Sequence, residues 1–143
     1  MNARLAQDAV RVAIVVDPSL SPGLVGNTIA TIAIGLGAAA PHLGGPRLVD
    51  RTGVTIHPSA SVPVPVLQAE PSVLRGLLLR AVNGEEETVV VPFPAFARNM
   101  HDFNAYQSEF TRRELGEEEV HGVGLAGPRK WVASLTGSLK LLS

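Results

Sequence analysis

The chain has no charged side chain between Asp17 and Arg47. Within this uncharged segment, residues 24–40 are mostly apolar and Pro41 follows them directly. A membrane span needs about 20 predominantly apolar residues, whereas this stretch is shorter and contains three polar side chains. It also lacks the flanking Lys or Arg that orients a membrane helix. The pattern therefore predicts a buried helix over 23–40 in a globular domain, with no membrane partner.

A helix over 23–40 has apolar side chains on more than one face. Small residues recur at helical spacing in one stripe (Gly26, Ala30, Ala33, Gly37), and larger apolar residues form the stripe beside it (Val25, Ile29, Ile32, Leu36). A helix at the surface of a globular protein normally keeps a polar face, so a second surface must cover this one. We expect that surface to be a second copy of the chain, in a twofold homodimer through helix 23–40.

Length and composition limit the classes of function. The chain has 143 residues, of which 45 % are hydrophobic, and it is expected to form a single domain over 1–143. A formal net charge of −1 supplies no positive field to attract nucleic acid. There is no cysteine and the four histidines show no metal-ligand spacing, so we expect no disulfide, no metal site and no cofactor. Residues 1–10 lack the apolar core of a signal peptide, which predicts a cytoplasmic location.

The order of predicted elements indicates the fold class. An apolar, β-branched run at 10–16 predicts a buried strand, and the long helix follows it after a loop. Further patterns predict a hairpin at 46–57, strands at 62–67, 88–92, 120–126 and 138–142, and helices at 71–82, 95–115 and 129–135. Gly127-Pro128 is expected to turn the chain between the last helix and the strand before it. The alternation predicts an α/β fold, a mixed β-sheet with helices on both faces.

Two pairs of polar residues are candidate catalytic groups. Asp17 and Asn27 are expected near the C-terminal end of the first strand, where ligands bind in open α/β sheets. His101 and Asn104 are three residues apart, so on a helix they would share a face, where an imidazole could act as a general base. Each pair also has a structural interpretation: loop-capping residues for the first pair and exposed side chains for the second.

The candidate ligand-binding residues are Asn27, Gly127 and Arg129. Asn27 would act together with the free N–H groups at the start of the long helix. Arg129 follows Gly127-Pro128 at the start of the last helix, where its guanidinium could contact an anionic ligand. The alternative for Arg129 is a solvent-facing charge that contributes little.

The C-terminal segment resembles the type 2 peptidyl-tRNA hydrolases. Residues 122–142 read GVGLAGPRKWVASLTGSLKLL, which is similar to that family's closing motif of a strand, a Gly-Pro turn, a helix and a Thr-Gly-x-Leu-Lys-Leu-Leu tail. The strand at 12–16, with its loop and small-residue helix, is similar to the family's opening elements. The resemblance implies a type 2 peptidyl-tRNA hydrolase-like fold. Whether the activity of that family is also expected depends on its catalytic residues.

The whole chain looks still more similar to an uncharacterised bacterial family that shares this fold. The resemblance lies in the segment Asp17–Asn27, the stretch His101–Asn104 and the closing segment Gly124–Lys130. Membership of that family implies an unknown function on a known type of fold.

Departures from the hydrolases bear directly on activity. Those enzymes carry a Gly-Lys pair at the start of the first helix, and residues 24–28 of this chain include no lysine. The hydrolases' closing-strand threonine falls on Gly122, and their helical glutamine and histidine fall near Ala30 and Ala33. Without a cation there, nothing on this helix would stabilise a developing oxyanion. The comparison predicts a protein without peptidyl-tRNA hydrolase activity.

Three functions remain open from the sequence. The leading one is a protein of the uncharacterised branch without the hydrolase activity. The first alternative is a hydrolase acting on an unidentified small substrate, or on peptidyl-tRNA, through Asp17, Asn27, His101 and Asn104. The second is a non-catalytic binding or homo-oligomeric assembly module. Grouping of those four side chains in one cleft would favour an enzyme, and their separation would favour the module.

Overall fold

A mixed sheet forms the centre of the described part of the chain, residues 10–84 and 87–143 of a computed structural model. The strands are β1 (Val10–Val16), β2 (Leu48–Val49), β3 (Thr55–Ile56), β4 (Val66–Gln68), β5 (Val89–Pro94), β6 (Val120–Pro128) and β7 (Lys140–Leu141). β2 and β3 form a separate hairpin, and the other five lie in the order β5-β6-β1-β4-β7. β1 and β4 run parallel, whereas every other neighbouring pair of that sheet is antiparallel.

Helices cover both faces of this sheet. The α-helices of the described residues are α1 (Pro22–Ala39), α2 (Pro71–Ala81), α3 (Phe103–Phe110) and α4 (Arg129–Thr136). Because side chains alternate along a strand, Val12 and Ile14 of β1 pack with α1, while Ala13 and Val15 pack with the core that holds α2 and α4. The predicted α/β class, with a mixed sheet, is confirmed.

Glycines of β6 allow α1 to lie close to the sheet. A Cβ at Gly122 would stand 2.8 Å from Thr28 Cγ2, and one at Gly124 would overlap Ile32 Cγ2. The larger apolar stripe of α1 is therefore the one that faces the sheet, with Thr28, Ile32 and Leu36 buried. The close approach depends on the small residues of the strand and not on the small-residue stripe of the helix, which faces outward.

The outward face of α1 is apolar and open. Ala30 and Ala33 are exposed, and the side chain of Ile34 between them and Gly37 is 73 % exposed. By length and composition alone, with a mean hydropathy of 1.4 over 18 residues, α1 is the helix of the described chain that could cross a membrane. Core helices of globular proteins pass the same test, and α1 packs on the sheet through three buried side chains.

Three sequence predictions differ from the observed elements. Residues 95–115 do not form one helix, because a 3₁₀ helix at Ala95–Asn99 precedes α3 and another at Leu115–Glu117 follows it. Gly127 and Pro128 belong to β6, paired with β1, and α4 begins directly after them without a turn. The strand predicted at 62–67 starts only at Val66, since Pro63 and Pro65 have no N–H for a ladder.

Candidate functional site

The polar site lies at the C-terminal end of β1. There the backbone N–H of Asp17 donates to the carbonyl of His121 at 2.9 Å, which joins the end of β1 to the start of β6. The first two turns of α1 and the 3₁₀ helix after β5 pack against the same edge. This is the end of the sheet at which open α/β folds bind ligands.

Arg98, in the 3₁₀ helix Ala95–Asn99, is the centre of this site. Its Nη1 donates to Asn27 Oδ1 at 2.9 Å. Its Nη2 donates to Thr28 Oγ1 at 2.6 Å and to His121 Nδ1 at 3.0 Å. The guanidinium carbon lies 4.2 Å from the centroid of the Phe93 ring. These five residues, from α1, β5, β6 and the 3₁₀ helix, are called the Arg98 cluster below.

The charge of Arg98 is not neutralised by a carboxylate. Among residues 10–84 and 87–143, the ion pairs within 4.0 Å are those of Arg113 with Glu109 and Glu118. Burial lowers the pKa of Arg98 from its usual value, and its Nε is buried without a hydrogen-bond partner. Neutral acceptors and an aromatic face thus hold a partly desolvated cation in one orientation.

His121 is held as a neutral imidazole. Arginine can only donate, so His121 Nδ1 must accept from Arg98 and carries no proton, which leaves the proton on Nε2. Burial and the positive charge of Arg98 lower the pKa of His121, while Glu119 and Asp17 act in the opposite direction. The imidazole also stacks on Phe93, with ring centroids 6.2 Å apart and planes at 12°. The same arginine therefore fixes both the tautomer and the position of the ring.

Thr28 shows why a β-branched polar residue lies inside α1. Its side chain is fully buried, and its hydroxyl donates to the carbonyl of Leu24 at 2.7 Å while accepting from Arg98. Thr31, one turn on, makes only helix back-bonds, to Asn27 and Thr28. Thr28 is thus both a core residue of α1 and a support for the guanidinium.

Of the two residues expected at the end of β1, Asn27 belongs to the cluster and Asp17 does not. Asp17 is 3 % exposed and its Oδ1 accepts from the backbone N–H and the hydroxyl of Ser19, at 2.9 and 2.7 Å. That geometry is an Asx turn, the structural role expected of such a residue in a loop. Its carboxylate nevertheless acts electrostatically on His121.

The structure does not bring His101 and Asn104 to this site. Both are exposed, and no hydrogen bond or ring contact of the described residues links either side chain to the Arg98 cluster. They do not share a helical face either, because α3 begins at Phe103 and Asp102 is its N-cap, accepting from the Asn104 N–H at 2.8 Å. The pairing expected from their spacing needed a helix that starts earlier.

Gly127 and Arg129 lie at the opposite end of the sheet from Asn27. β6 is antiparallel to β1, so Gly122 pairs with Val16 at the site while Gly127 pairs with Arg11. Five residues of strand separate the two glycines, about 17 Å at roughly 3.4 Å per residue. Gly127 is a packing residue, since a Cβ there would stand 2.9 Å from the Trp131 ring, and Arg129 is exposed. Asn27, Gly127 and Arg129 thus cannot hold one small ligand.

Sequence reasoning missed Phe93, Thr28, Arg98 and His121. Pairing β6 with β1 in antiparallel register would have placed His121 at the end of β1, but that pairing is not visible in one sequence. Arg98 lies 70 residues from Thr28 and 23 from His121. The available sequence signal for Arg98 was its position as the single cation of a mostly apolar segment, PFPAFARNM.

Two cavities lie away from the Arg98 cluster. One, of about 270 Å³, is an apolar groove between α1 and residues 58–64, lined by side chains such as Val12, Ile14, Leu36, Val62 and Val64. The other, of about 510 Å³, is beside Trp131 and Lys130 of α4. Within the described ranges, no three His, Asp or Glu side chains are grouped so as to hold a metal ion.

The fold and site define an α/β protein with a small polar cluster at the end of its first strand. The chain belongs to the family described as "Protein of unknown function (DUF2000)", whose model matches residues 10–143. The expectation of an uncharacterised family is confirmed. No curated protein matches the chain.

A solved structure has the same fold. It is a protein of unknown function, Atu0240, from Agrobacterium tumefaciens strain C58, with a TM-score of 0.85 and 19 % sequence identity. The match covers 94 % of this chain and 98 % of that one. At this identity the likeness concerns the fold alone.

Proposed function

We propose that this protein is a non-catalytic module that binds a small molecule at the Arg98 cluster. The observation that supports this most directly is the uncompensated charge of Arg98, whose Nη groups are bound by Asn27, Thr28 and His121 and by no carboxylate of the described residues. Burial of its Nε and partial desolvation of its guanidinium make a partner for this cation favourable. A ligand group that compensates this charge is the simplest partner.

A catalytic alternative has less support. The four residues that would have formed a catalytic cleft do not contact one another: Asp17 caps a turn, and the exposed His101 and Asn104 make no side-chain hydrogen bond to the Arg98 cluster within the described residues. His121 is the imidazole of the cluster, but its Nδ1 accepts from Arg98. With Nε2 protonated, the ring is a donor and has no free lone pair with which to act as a general base.

We also propose that the fold is of the type 2 peptidyl-tRNA hydrolase kind and that the hydrolase activity is absent. The support is the strand, loop and small-residue helix at β1 and α1, and the closing sequence that spans β6, α4 and β7. At the helix start, Gly26 or Asn27, depending on a one-residue shift of the alignment, stands where the resemblance expects a lysine. A cation does reach Asn27, but Arg98 brings it from a different element.

A turnover assay and a ligand screen together test the proposed function. Peptidyl-tRNA should show no hydrolysis above the uncatalysed rate with the full chain. In two-dimensional ¹H–¹⁵N spectra, a fragment set containing acids, amines and neutral amides should shift the resonances of residues 27, 28, 98 and 121. Hydrolysis of peptidyl-tRNA, or binding confined to the apolar groove beside Val62, would contradict the proposal.

Assembly through α1 is a second proposal, and its occupant is another copy of this chain. The outward face carries one exposed large side chain, Ile34, with the exposed residues Ala30, Thr31 and Ala38 one turn away along the helix. On a twofold axis, the isoleucine of each copy can pack against the small side chains of the other. The face has no charge with which to select a charged partner.

A cytoplasmic location remains a prediction, which fractionation of cells that produce the tagged chain would test.

A further inference from the structure

The hydrogen bonds inside the Arg98 cluster determine which polar groups it presents to solvent. Arginine has five N–H donors and no acceptor. Every side chain that bonds to Arg98 must therefore turn its acceptor toward it. For Asn27 this is the amide oxygen, for His121 it is Nδ1, and for Thr28 it is a hydroxyl lone pair.

What remains on these side chains is a set of donors. Asn27 keeps the N–H₂ group of its exposed amide, and His121 keeps the N–H of Nε2. Among the described side chains, Arg98 Nε is the buried N or O atom that lacks a hydrogen-bond partner. Nε2 of His121 also lacks a partner, and it must therefore be accessible to solvent. Arg98 Nη1 donates one N–H to Asn27 and has a second that none of the described residues accepts. Thr28 uses its own proton on Leu24.

We propose, as a deepening of the proposed function on which it rests, that the ligand of the Arg98 cluster presents a carboxylate to it. Three donor nitrogens, those of Asn27, His121 and Arg98, and one positive charge match a group that has only acceptors and a negative charge. Neutral polar groups that also donate would leave a donor facing a donor. Hydrogen bonds to an ionised partner are the stronger kind.

The surrounding charges favour a singly charged group over a phosphate dianion. Asp17, on the loop after β1, and Glu119, just before β6, both act on His121 electrostatically. Arg98, on the 3₁₀ helix after β5, is the opposing charge. α1 contributes none, because the chain is uncharged between Asp17 and Arg47. The two carboxylates repel any anion, and they repel a dianion more strongly than a monoanion, so the singly charged group is the less disfavoured ligand.

The proposal is tested by titrating the ¹⁵N-labelled full chain with acetate, acetamide and inorganic phosphate at constant ionic strength. Acetate should shift the resonances of Asn27, Arg98 and His121, and should bind at least about tenfold more tightly than acetamide, the range expected for hydrogen bonds to a charged group. Tighter binding of phosphate than of acetate at these residues would overturn the carboxylate assignment.

The variant Asn27→Asp gives the sharpest comparison. It changes an exposed amide for a carboxylate of the same shape, next to Arg98 Nη1, so the chain supplies its own anion. Acetate affinity should fall at least about tenfold, while the melting temperature should stay level or rise because Arg98 gains a charged partner. Unchanged acetate affinity in Asn27→Asp would contradict the proposal.

A matched control separates this effect from a general change in net charge. Arg51→Gln also makes the net charge more negative by one unit, on the exposed β2–β3 hairpin, and should retain wild-type acetate binding. Loss of binding in Arg51→Gln as well would contradict a local site. If acetamide or methylammonium shifts the cluster and acetate does not, the carboxylate assignment fails while the proposed binding site stands. If no probe of any charge shifts it, the proposed function fails too.

Discussion

Arg98 Nη1 and Asn27 Oδ1 are 2.9 Å apart although 71 residues of chain separate them. The bond ties the second turn of α1 to the segment after β5. Neighbours from α1, β5 and β6 hold the guanidinium in one orientation.

Removing the acceptor that Thr28 offers to Arg98 should destabilise the fold. In Thr28→Val the side chain keeps its shape but Nη2 loses a 2.6 Å hydrogen bond. We expect the free energy of unfolding to fall by about 1.5–3 kcal/mol, the range for a hydrogen bond to a charged group. Chemical denaturation followed by circular dichroism measures it.

The control for this variant lies one turn further along α1. Thr31 makes helix back-bonds like those of Thr28 but does not contact Arg98. Thr31→Val should change the free energy of unfolding by less than about 0.5 kcal/mol. Equal losses in the two variants would mean that the contact with Arg98 contributes nothing.

The stability of the protein should depend on pH through His121. Its pKa is lower in the folded state than the ordinary 6.5, because of burial and the charge of Arg98. The unfolded chain therefore binds more protons between the two pKa values, and the free energy of unfolding falls as the pH decreases below 6.5. Well above 6.5 the imidazole is neutral in both states and contributes no slope.

His121→Asn should remove this part of the pH dependence. An asparagine oxygen can accept from Arg98 as Nδ1 does, but it does not titrate in this range. Denaturation between pH 7 and 5 should give a shallower slope for His121→Asn than for the wild type. His57→Asn, at an exposed position of the hairpin segment, should keep the wild-type slope. The same slope in all three proteins would contradict the assignment of this pH dependence to His121.

A methyl group added at Gly124 should be poorly tolerated. Its Cβ would overlap Ile32 Cγ2 and stand 3.0 Å from Leu36 Cδ1, in the layer between β6 and α1. Gly124→Ala should lower the free energy of unfolding by about 1–3 kcal/mol, as overpacking does. Gly26→Ala is the counterpart: nothing lies within 4 Å of its Cβ, and alanine should stabilise α1 by about 0.5–1 kcal/mol. Thermal unfolding should give a lower melting temperature for Gly124→Ala and a higher one for Gly26→Ala than for the wild type.

The proposed homodimer predicts a mass of twice 15.0 kDa in light scattering coupled to size exclusion. Ile34→Arg places a charge at the centre of the outward face of α1 and should give a monomer. Val82→Arg, at the C-cap of α2 and 49 % exposed, should leave the dimer intact. A monomeric wild type at micromolar concentration rules out the assembly. Sedimentation of the protein with lipid vesicles would instead indicate that a membrane covers this face.

The strands and helices of this fold can be predicted from the sequence better than the site can. The β-branched run of β1 and the helical spacing of Leu74, Leu77 and Leu78 are local patterns, and both became core elements. Asn27 was found because it follows β1 closely along the chain. Arg98 and His121 reach the same place only through the pairing of β5, β6 and β1. Their roles depend on contacts between distant segments, to which no local periodicity corresponds.

The long sequence separation between Asn27 and Arg98 also determines how late in folding the binding site is completed. Closing so long a loop is entropically unfavourable until other contacts have formed, and His121 arrives only with the last long strand. A nascent chain or a proteolytic fragment that ends before residue 121 has three of the helices but only the β1–β4 pair of the sheet, and its binding site is incomplete. Ligand occupancy would thus report on a finished molecule, and it would stabilise only that molecule by mass action.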